Sequence, residues 1–334
     1  MDESFDLGVI GIGGLGSRLA DQFNDIDTVT IAALADVSAD ARATGGKRFG
    51  IPESARYDDY EEMLETANLD AVQITTPHSF HYEQIVAALD HGLHVFCEKP
   101  LVTSLDQAYD LVERDAETDR TIMVGYQRHL DPAFLAIRER YADGDLEPRL
   151  LTAEVTQDLI EVGSWYMNPE LSGGGQIYAT GTHIIDAMLW STGLTPVLVS
   201  ATLDIHDDVP RLDKHAAISI GFDNGAVGTI AISGDTRRVR EHHHYWDDEG
   251  AIYVDGREWN PRTYKTIDAD GTEFSPHVGG QSQTKAAAFL EAIQEGTQPV
   301  ATVRDALRAT VVQEAAYESD DRGVRVDVSD WYEP

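Results

Sequence analysis

The stretch that most constrains this chain is Gly8-Val9-Ile10-Gly11-Ile12-Gly13-Gly14-Leu15-Gly16. It contains G-x-G-x-x-G at Gly11, Gly13 and Gly16, follows an apolar run at 7–10, and opens a helical pattern at 17–23. About 20 residues after the turn, Asp36 ends a second apolar run, the spacing a dinucleotide fingerprint requires. In that context the glycines, with Gly14 and Leu15 among them, let the backbone approach a pyrophosphate whose charge the helix N-terminus stabilises. Asp36 can accept hydrogen bonds from the adenosine ribose hydroxyls and would repel a 2′-phosphate. Val37 and Ser38 follow it rather than an arginine, so NAD is expected in preference to NADP. A tight turn without a ligand, with Asp36 as a cap for the next helix, is the alternative reading.

The rest of the first third continues the alternation. Strands are predicted at 29–35, 71–75, 94–97 and 121–125, and helices at 39–49, 60–66, 80–91 and 105–117. Such alternation, with strands that read as continuous apolar runs, implies βαβ units and a parallel sheet. After about Tyr126 the pattern changes. A helix at 132–141 is followed by strands at 150–156, 197–203, 216–222, 226–233 and 251–254, with Asp223-Asn224-Gly225 as a hairpin signal. A long segment, 175–189, interrupts them. Helices at 285–294 and 304–317 and a strand at 324–328 close the chain. We therefore expect a dinucleotide-binding domain over 1–125 and a substrate-binding and oligomerisation domain over 126–334. The helix near 304–318 is expected to pack back on the first.

The 334 residues carry 59 acidic against 25 basic side chains, a formal net charge of −34. The acids are spread through segments with regular apolar patterns, so the sequence reads as a folded protein with an acidic surface. That surface repels nucleic acid and anionic membranes, and it suits high intracellular salt. No apolar run is long enough to span a bilayer. The acidic start, Met1-Asp2-Glu3-Ser4-Phe5-Asp6, does not read as a signal peptide, and a cytoplasmic location is expected. Cys97 is the single cysteine, which rules out an internal disulfide.

Cys97-Glu98-Lys99-Pro100 follows the apolar run at 94–96. In an open α/β sheet, ligands lie at the carboxyl ends of strands. A cation there would stabilise an alkoxide developing during alcohol oxidation. Pro100 is a candidate for a cis bond that aims the lysine, and Glu98 can pair with a cation or cap a helix. Gly181-Thr182-His183 places a histidine near a helix start, with Asp186 three residues on. Histidine suits general-base work near neutral pH.

Thr75-Thr76-Pro77-His78 with His81, then Gly92 to Leu101 with Glu98-Lys99-Pro100, then Val124-Gly125-Tyr126-Gln127-Arg128, resemble the glucose–fructose oxidoreductase / inositol dehydrogenase / rhizopine-catabolism family. So does Gly173-Gly174-Gly175 leading to Gly181-Thr182-His183-Ile184-Ile185-Asp186. The resemblance covers nearly the whole chain. It implies a Rossmann domain followed by a domain on an open, mostly antiparallel sheet, α/β plus α+β. It implies that Lys99 touches both the nicotinamide ribose and the reacting hydroxyl, that Thr76, Pro77, His81 and Glu98 also serve the cofactor, and that His183 is the base. Arg128, Trp165, Tyr166, Thr180 and Asp186 are the further candidates for substrate contact, Asp186 through a second hydroxyl. Trp165 and Tyr166 read equally well as core residues. A homodimer or homotetramer packed through the open sheet face is implied as well.

The chain departs from the family pattern in one place. Four residues before the histidine, where an aspartate is usual, it has Ala179, so Tyr178, Thr180 or a water must substitute or the chemistry must differ. The expected activity is an NAD-dependent dehydrogenase acting on a monosaccharide, a sugar derivative or a cyclitol. The rivals are a redox-assisted glycosidase or lyase and a non-catalytic NAD-binding sensor. In the run Glu241-His242-His243-His244-Tyr245-Trp246, alternation along a strand lets only His242 and His244 converge. No third ligand is evident at a sensible spacing, and no metal is assigned.

Overall fold

The computed structural model describes residues 4–158, 164–206, 209–259, 262–278 and 283–332. They fall into two compact units, one within Met1–Val102, Asp110–Gly125 and Gln283–Val303, the other within Thr103–Tyr109, Tyr126–Ser282 and Arg304–Pro334.

In the first unit the predicted alternation is realised. Its elements are β1 (Phe5–Ile10), α1 (Gly14–Asn24), β2 (Val29–Ala35), α2 (Ala39–Arg48), β3 (Arg56–Tyr57), α3 (Tyr60–Thr66), β4 (Ala71–Ile74), α4 (His81–Asp90) and β5 (His94–Cys97). Helix α5 (Leu105–Glu117) and β6 (Ile122–Val124) complete the run. The sheet order is β3-β2-β1-β4-β5-β6, and every pairing is parallel. This is the doubly wound order, and its direction reverses between β1 and β4, which opens a ligand crevice at the carboxyl ends of those strands. All four residues of β4 are buried, as a strand covered by helices on both faces should be.

In the second unit the elements are α6 (Pro132–Tyr141), β7 (Leu150–Asp158), α7 (Pro169–Ser172), α8 (Thr182–Thr192), β8 (Pro196–Ile205), β9 (Asp213–Phe222), β10 (Val227–Ser233), β11 (Asp235–Asp247), β12 (Gly250–Arg257), β13 (Arg262–Asp268) and β14 (Glu273–Phe274). After α9 (Lys285–Glu295) come α10 (Val303–Arg322) and β15 (Val326–Asp327). Nine strands form one sheet in the order β14-β13-β12-β11-β7-β10-β9-β8-β15. All its pairs are antiparallel except β10 with β7. Alternating burial along β9 and β10 marks one covered and one open face. Helix α8 is buried at all eleven positions. The Asp223-Asn224-Gly225 turn joins β9 to β10, with Gly225 at φ +83°.

Helix α9 belongs with the first unit and the helix near 304–318 with the second. Phe289 of α9 meets Phe23 and Phe96 edge-to-face at 6.1 and 5.9 Å, and the Val124 N–H donates to the Ala301 carbonyl. Helix α10 instead bonds within the second unit, through Gln313 to the Ile177 carbonyl and Tyr317 to Asp213. The two helices look alike as amphipathic sequence, and only their partners separate them. The sequence also gave no strand at 262–268 and no bounds for β11, because these strands are rich in charge. Their buried charges are matched across the sheet instead of being replaced by apolar residues.

Candidate active site

At the nucleotide end of the first unit, main-chain geometry does most of the work. Gly11 has φ +85°, and a Cβ there would lie 2.9 Å from the Thr75 carbonyl. A Cβ on Gly16 would lie 2.0 Å from the Gly11 oxygen. Around Gly13 and Gly14, by contrast, an added Cβ would meet nothing within 4 Å. The turn is therefore closed on the protein side and open on the other, and no side chain caps α1. That is the cradle a pyrophosphate needs, with α1's first N–H groups and dipole facing outward. The Asp36 carboxylate accepts from the N–H of Ile12 at 2.9 Å and of Ser38 at 2.8 Å, which fixes it beside the turn. Arg42 reaches back from α2 and donates to the carbonyls of Asp36 and Val37 at 2.7 and 3.2 Å. An arginine is thus beside Asp36 after all, six residues on instead of adjacent, because one turn of helix brings it round.

Thr75 Oγ1 donates to the Gly11 carbonyl at 2.6 Å, and Thr76 Oγ1 to Gln84 at 2.7 Å. Pro77 precedes a short 3-10 turn at His78–Phe80. The buried ring of His81 lies 2.8 Å from the Pro100 carbonyl oxygen and 2.9 Å from that of Thr76. Burial pushes its pKa down, and the two carbonyls oppose that only in part. His81 therefore ties the Thr76 loop to Pro100 as a strut.

Lys99 lies two residues past β5, partly exposed, and its peptide bond to Pro100 is cis. Beside it Glu98 is buried and pairs with Lys285, the first residue of α9. The sequence reading left Lys285 unassigned, since 187 residues separate it from Glu98. A Cβ on Gly125 would lie 2.8 Å from the Glu98 carboxyl carbon, so Gly125 makes room for this pair. The Cys97 thiol is buried and its pKa is raised by that burial, which leaves it unreactive.

In the second unit His183 is largely buried near the start of α8. Its ring lies 6.2 Å from that of Trp259, and the Arg128 guanidinium lies 5.3 Å from the same indole. Trp259 and Glu258 both have positive φ, +68° and +51°, a backbone shape that non-glycine residues rarely adopt without support. Nothing in the sequence pointed to Trp259, because its placement depends on the turn after β12.

Arg128 is fully buried and holds Glu241 through two bonds, at 3.0 and 2.9 Å. Arg262 adds a third at 2.7 Å and bridges to Asp131 at 2.6 Å. Burial alone would raise the Glu241 pKa. The two guanidiniums and His243 outweigh it and hold that carboxyl well below the usual range. Nη1 of Arg128 has no hydrogen-bond partner among the described residues. Arg128 is thus chiefly an ion-pair residue, with one donor to spare.

Asp186, expected at a substrate hydroxyl, meets a histidine of its own unit. Its carboxylate is buried and lies 3.0–3.1 Å from Nε2 of His129, whose ring stacks on Trp190 at 4.0 Å. Thr180 is buried, with Oγ1 2.9 Å from Oε1 of Gln157. Trp165 and Tyr166 stack at 3.8 Å, and they pack together with Ala179 among the described residues. Tyr178 cannot stand in for the missing aspartate: its hydroxyl donates to Glu314 at 2.5 Å. A single π-helical turn, Ile177–Gly181, carries this segment.

The glycine triplet is explained by what surrounds it. A Cβ on Gly175 would lie 2.1 Å from the Asp213 carbonyl. The Asp213 carboxylate accepts from the N–H of Gly175 at 3.0 Å and of Ile177 at 2.9 Å. Its pKa is raised to about 6, by burial above all, against these bonds and that of Tyr317. Asp213 thereby anchors the turn leading to His183. The sequence reading missed it because it lies 38 residues away.

Comparison with known proteins agrees with both halves. Residues 5–126 match the family model described as "Oxidoreductase family, NAD-binding Rossmann fold", and residues 134–256 match the "GFO/IDH/MocA C-terminal domain". The chain belongs to the GFO/IDH/MocA oxidoreductase family. It is 24% identical over 280 residues to a D-xylose 1-dehydrogenase [NADP(+)] of Haloarcula marismortui, covering 80% of this chain and 75% of that one. It is 24% identical over 330 residues to a myo-inositol 2-dehydrogenase of Thermotoga maritima, covering 94% and 95%. Among solved structures, the aldose-aldose oxidoreductase of Caulobacter crescentus has the same fold, with a TM-score of 0.86 at 22% identity over 97% of this chain and 100% of that one. No helix among the described residues is long and apolar enough to cross a membrane.

Proposed function

We propose that this protein is an NAD-dependent dehydrogenase that removes hydride from a hydroxyl-bearing carbon of a monosaccharide, a sugar derivative or a cyclitol. The observation that carries the reading is Lys99 at the carboxyl edge of the sheet whose β1 ends in the open, uncapped glycine turn. The relatives named for D-xylose and myo-inositol support the substrate class.

The residues present fit a nicotinamide dinucleotide. Gly11, Gly13, Gly14, Leu15 and Gly16 would hold its pyrophosphate and Asp36 its adenosine ribose, with Thr76, Pro77 and the His81 strut shaping the adjoining loop. When bound, the nicotinamide supplies the hydride acceptor. Lys99 holds the substrate oxygen and stabilises the negative charge that grows on it. His183 takes the hydroxyl proton. Trp259 and the Trp165–Tyr166 pair offer apolar faces to a sugar ring, and Nη1 of Arg128 offers a donor to one of its oxygens. The Asp36 carboxylate favours NAD, whereas Arg42 is the group a 2′-phosphate would meet.

The net charge of −34 supports a salt-adapted protein of the cytoplasm, and we expect a homodimer or homotetramer. Ala179 in place of the usual aspartate favours one second reading, a redox-assisted glycosidase or lyase that oxidises its sugar only transiently. The test is NADH formation with a panel of aldoses, sugar acids and cyclitols in concentrated KCl, with NAD against NADP and wild type against Lys99→Ala. Turnover with NAD that is lost in the variant supports the dehydrogenase. Copurifying NAD with no net NADH from any substrate overturns it in favour of the lyase.

A further inference from the structure

The open face of the nine-stranded sheet carries a side-chain cluster that the proposed reaction does not use. His242 and His244 are two residues apart on β11, so both project from the same face. Asp255 of β12 stands directly opposite His242 in the antiparallel register. Its Oδ1 is 2.5 Å from Nδ1 of His242 and 3.0 Å from Nε2 of His244. One donor atom from each residue lies within 4.8 Å of the others. The third ligand that sequence spacing did not supply therefore comes from strand pairing, 13 residues from His242 in the chain.

We propose that His242, His244 and Asp255 form a site for a divalent transition-metal ion, zinc by preference, that staples β11 to β12. Two imidazoles and one carboxylate are a ligand set that zinc and its neighbours accept, and that calcium and magnesium, which want oxygen alone, do not. In a tetrahedral site with bonds of about 2.0–2.1 Å, ligand atoms stand roughly 3.3 Å apart. To reach that spacing the His244–Asp255 contact would open by about 0.3 Å and the His242–Asp255 contact by about 0.8 Å, movements within the range of side-chain adjustment. Without it, each imidazole donates its N–H to the shared carboxylate; with it, the lone pairs of the same nitrogens face the metal.

Two further features suit a metal. The His244 ring is held against that of Tyr253 at 4.3 Å and edge-on to Trp246 at 6.1 Å, which fixes its direction before binding. Glu154 of β7 stands opposite His242 on its other side, and with both histidines it borders a concavity of about 740 Å³. It, or a water, can take the fourth position. All three ligands are about one-third exposed, so an ion can reach them from solvent.

The test uses the full chain, stripped with EDTA and dialysed. Zinc binding is followed by calorimetry and thermal melting, and cobalt(II) serves as an absorption probe of geometry. We expect one equivalent per chain, a melting temperature raised by zinc and not by magnesium, and visible tetrahedral bands with cobalt. His242→Ala with His244→Ala should abolish all three, Asp255→Asn should weaken binding about tenfold to a hundredfold, and the metal-free melting temperature should barely change. Zinc binding that is equal in wild type and the double variant, or cobalt that stays octahedral in colour, overturns the site and leaves adventitious binding by surface acids. Should the double variant fail to fold, His244→Gln alone decides: unchanged zinc affinity overturns the proposal.

Discussion

At the glycine turn, the atoms that would meet a nucleotide are main-chain N–H groups, and the side chains around them matter mostly by being absent. Around His183 the opposite holds: side chains line the surroundings, and further side chains hold them in place. Arg128 is held by Glu241, Glu241 also by Arg262, the π-turn by Asp213, and Asp186 by His129. A backbone site tolerates loss of any one side chain in its structure, though not in its selectivity. A site built on a buried ionic network does not, because removing one member leaves another charged in a dry interior.

The largest expected effect tests that contrast. Glu241→Gln leaves Arg128 and Arg262 buried without their anion and should cost about 3–5 kcal/mol in denaturant unfolding. A cost below about 1 kcal/mol would erase the distinction between the regions. Next comes Lys99→Ala, which should lower kcat by about a hundredfold to a thousandfold, some 2.7–4 kcal/mol of transition-state stabilisation, while the melting temperature stays unchanged. A parallel fall in stability would make Lys99 a structural residue.

A smaller effect concerns pH. The Asp213 carboxyl titrates near 6 when folded against 3.8 in its ordinary state. A raised carboxyl favours the folded state fully below pH 4, and that contribution is lost as pH rises through 6. The stability of wild type relative to Asp213→Asn should therefore fall between pH 4 and 6, by up to about 3 kcal/mol for a two-unit shift. A pH-independent difference would place the Asp213 carboxyl in a less desolvated setting. The smallest change belongs to the backbone site. Asp36→Ser should shift the ratio of kcat/KM for NAD over NADP towards NADP by about tenfold, roughly 1.4 kcal/mol, with stability altered by less than about 1 kcal/mol. An unchanged ratio would move cofactor choice away from Asp36 and Arg42.

The parallel sheet and the nucleotide turn were legible because their determinants are local. Glycine spacing, apolar runs and the offset to Asp36 all lie within some 30 residues and act through backbone shape. The Glu98-Lys99-Pro100 stretch could be placed for the same reason, at the end of a readable strand. In the second unit the hairpin at Asn224-Gly225 and the buried helix carrying His183 were equally visible.

What tertiary structure alone decided lies in pairs distant along the chain. Lys285 finds Glu98, Asp213 finds Gly175, Trp259 finds His183, and Asp255 completes the cluster with His242 and His244. It also assigned α9 rather than α10 to the nucleotide unit, and turned Asp186 inward to His129. Periodicity tells which face of a strand or helix is buried, but it carries no information about which other element covers that face. The sequence by itself therefore determined the class of fold and the backbone shape of the nucleotide turn. The side-chain surroundings of His183 were decided by register and packing, where short-range polar contacts select one partner among many.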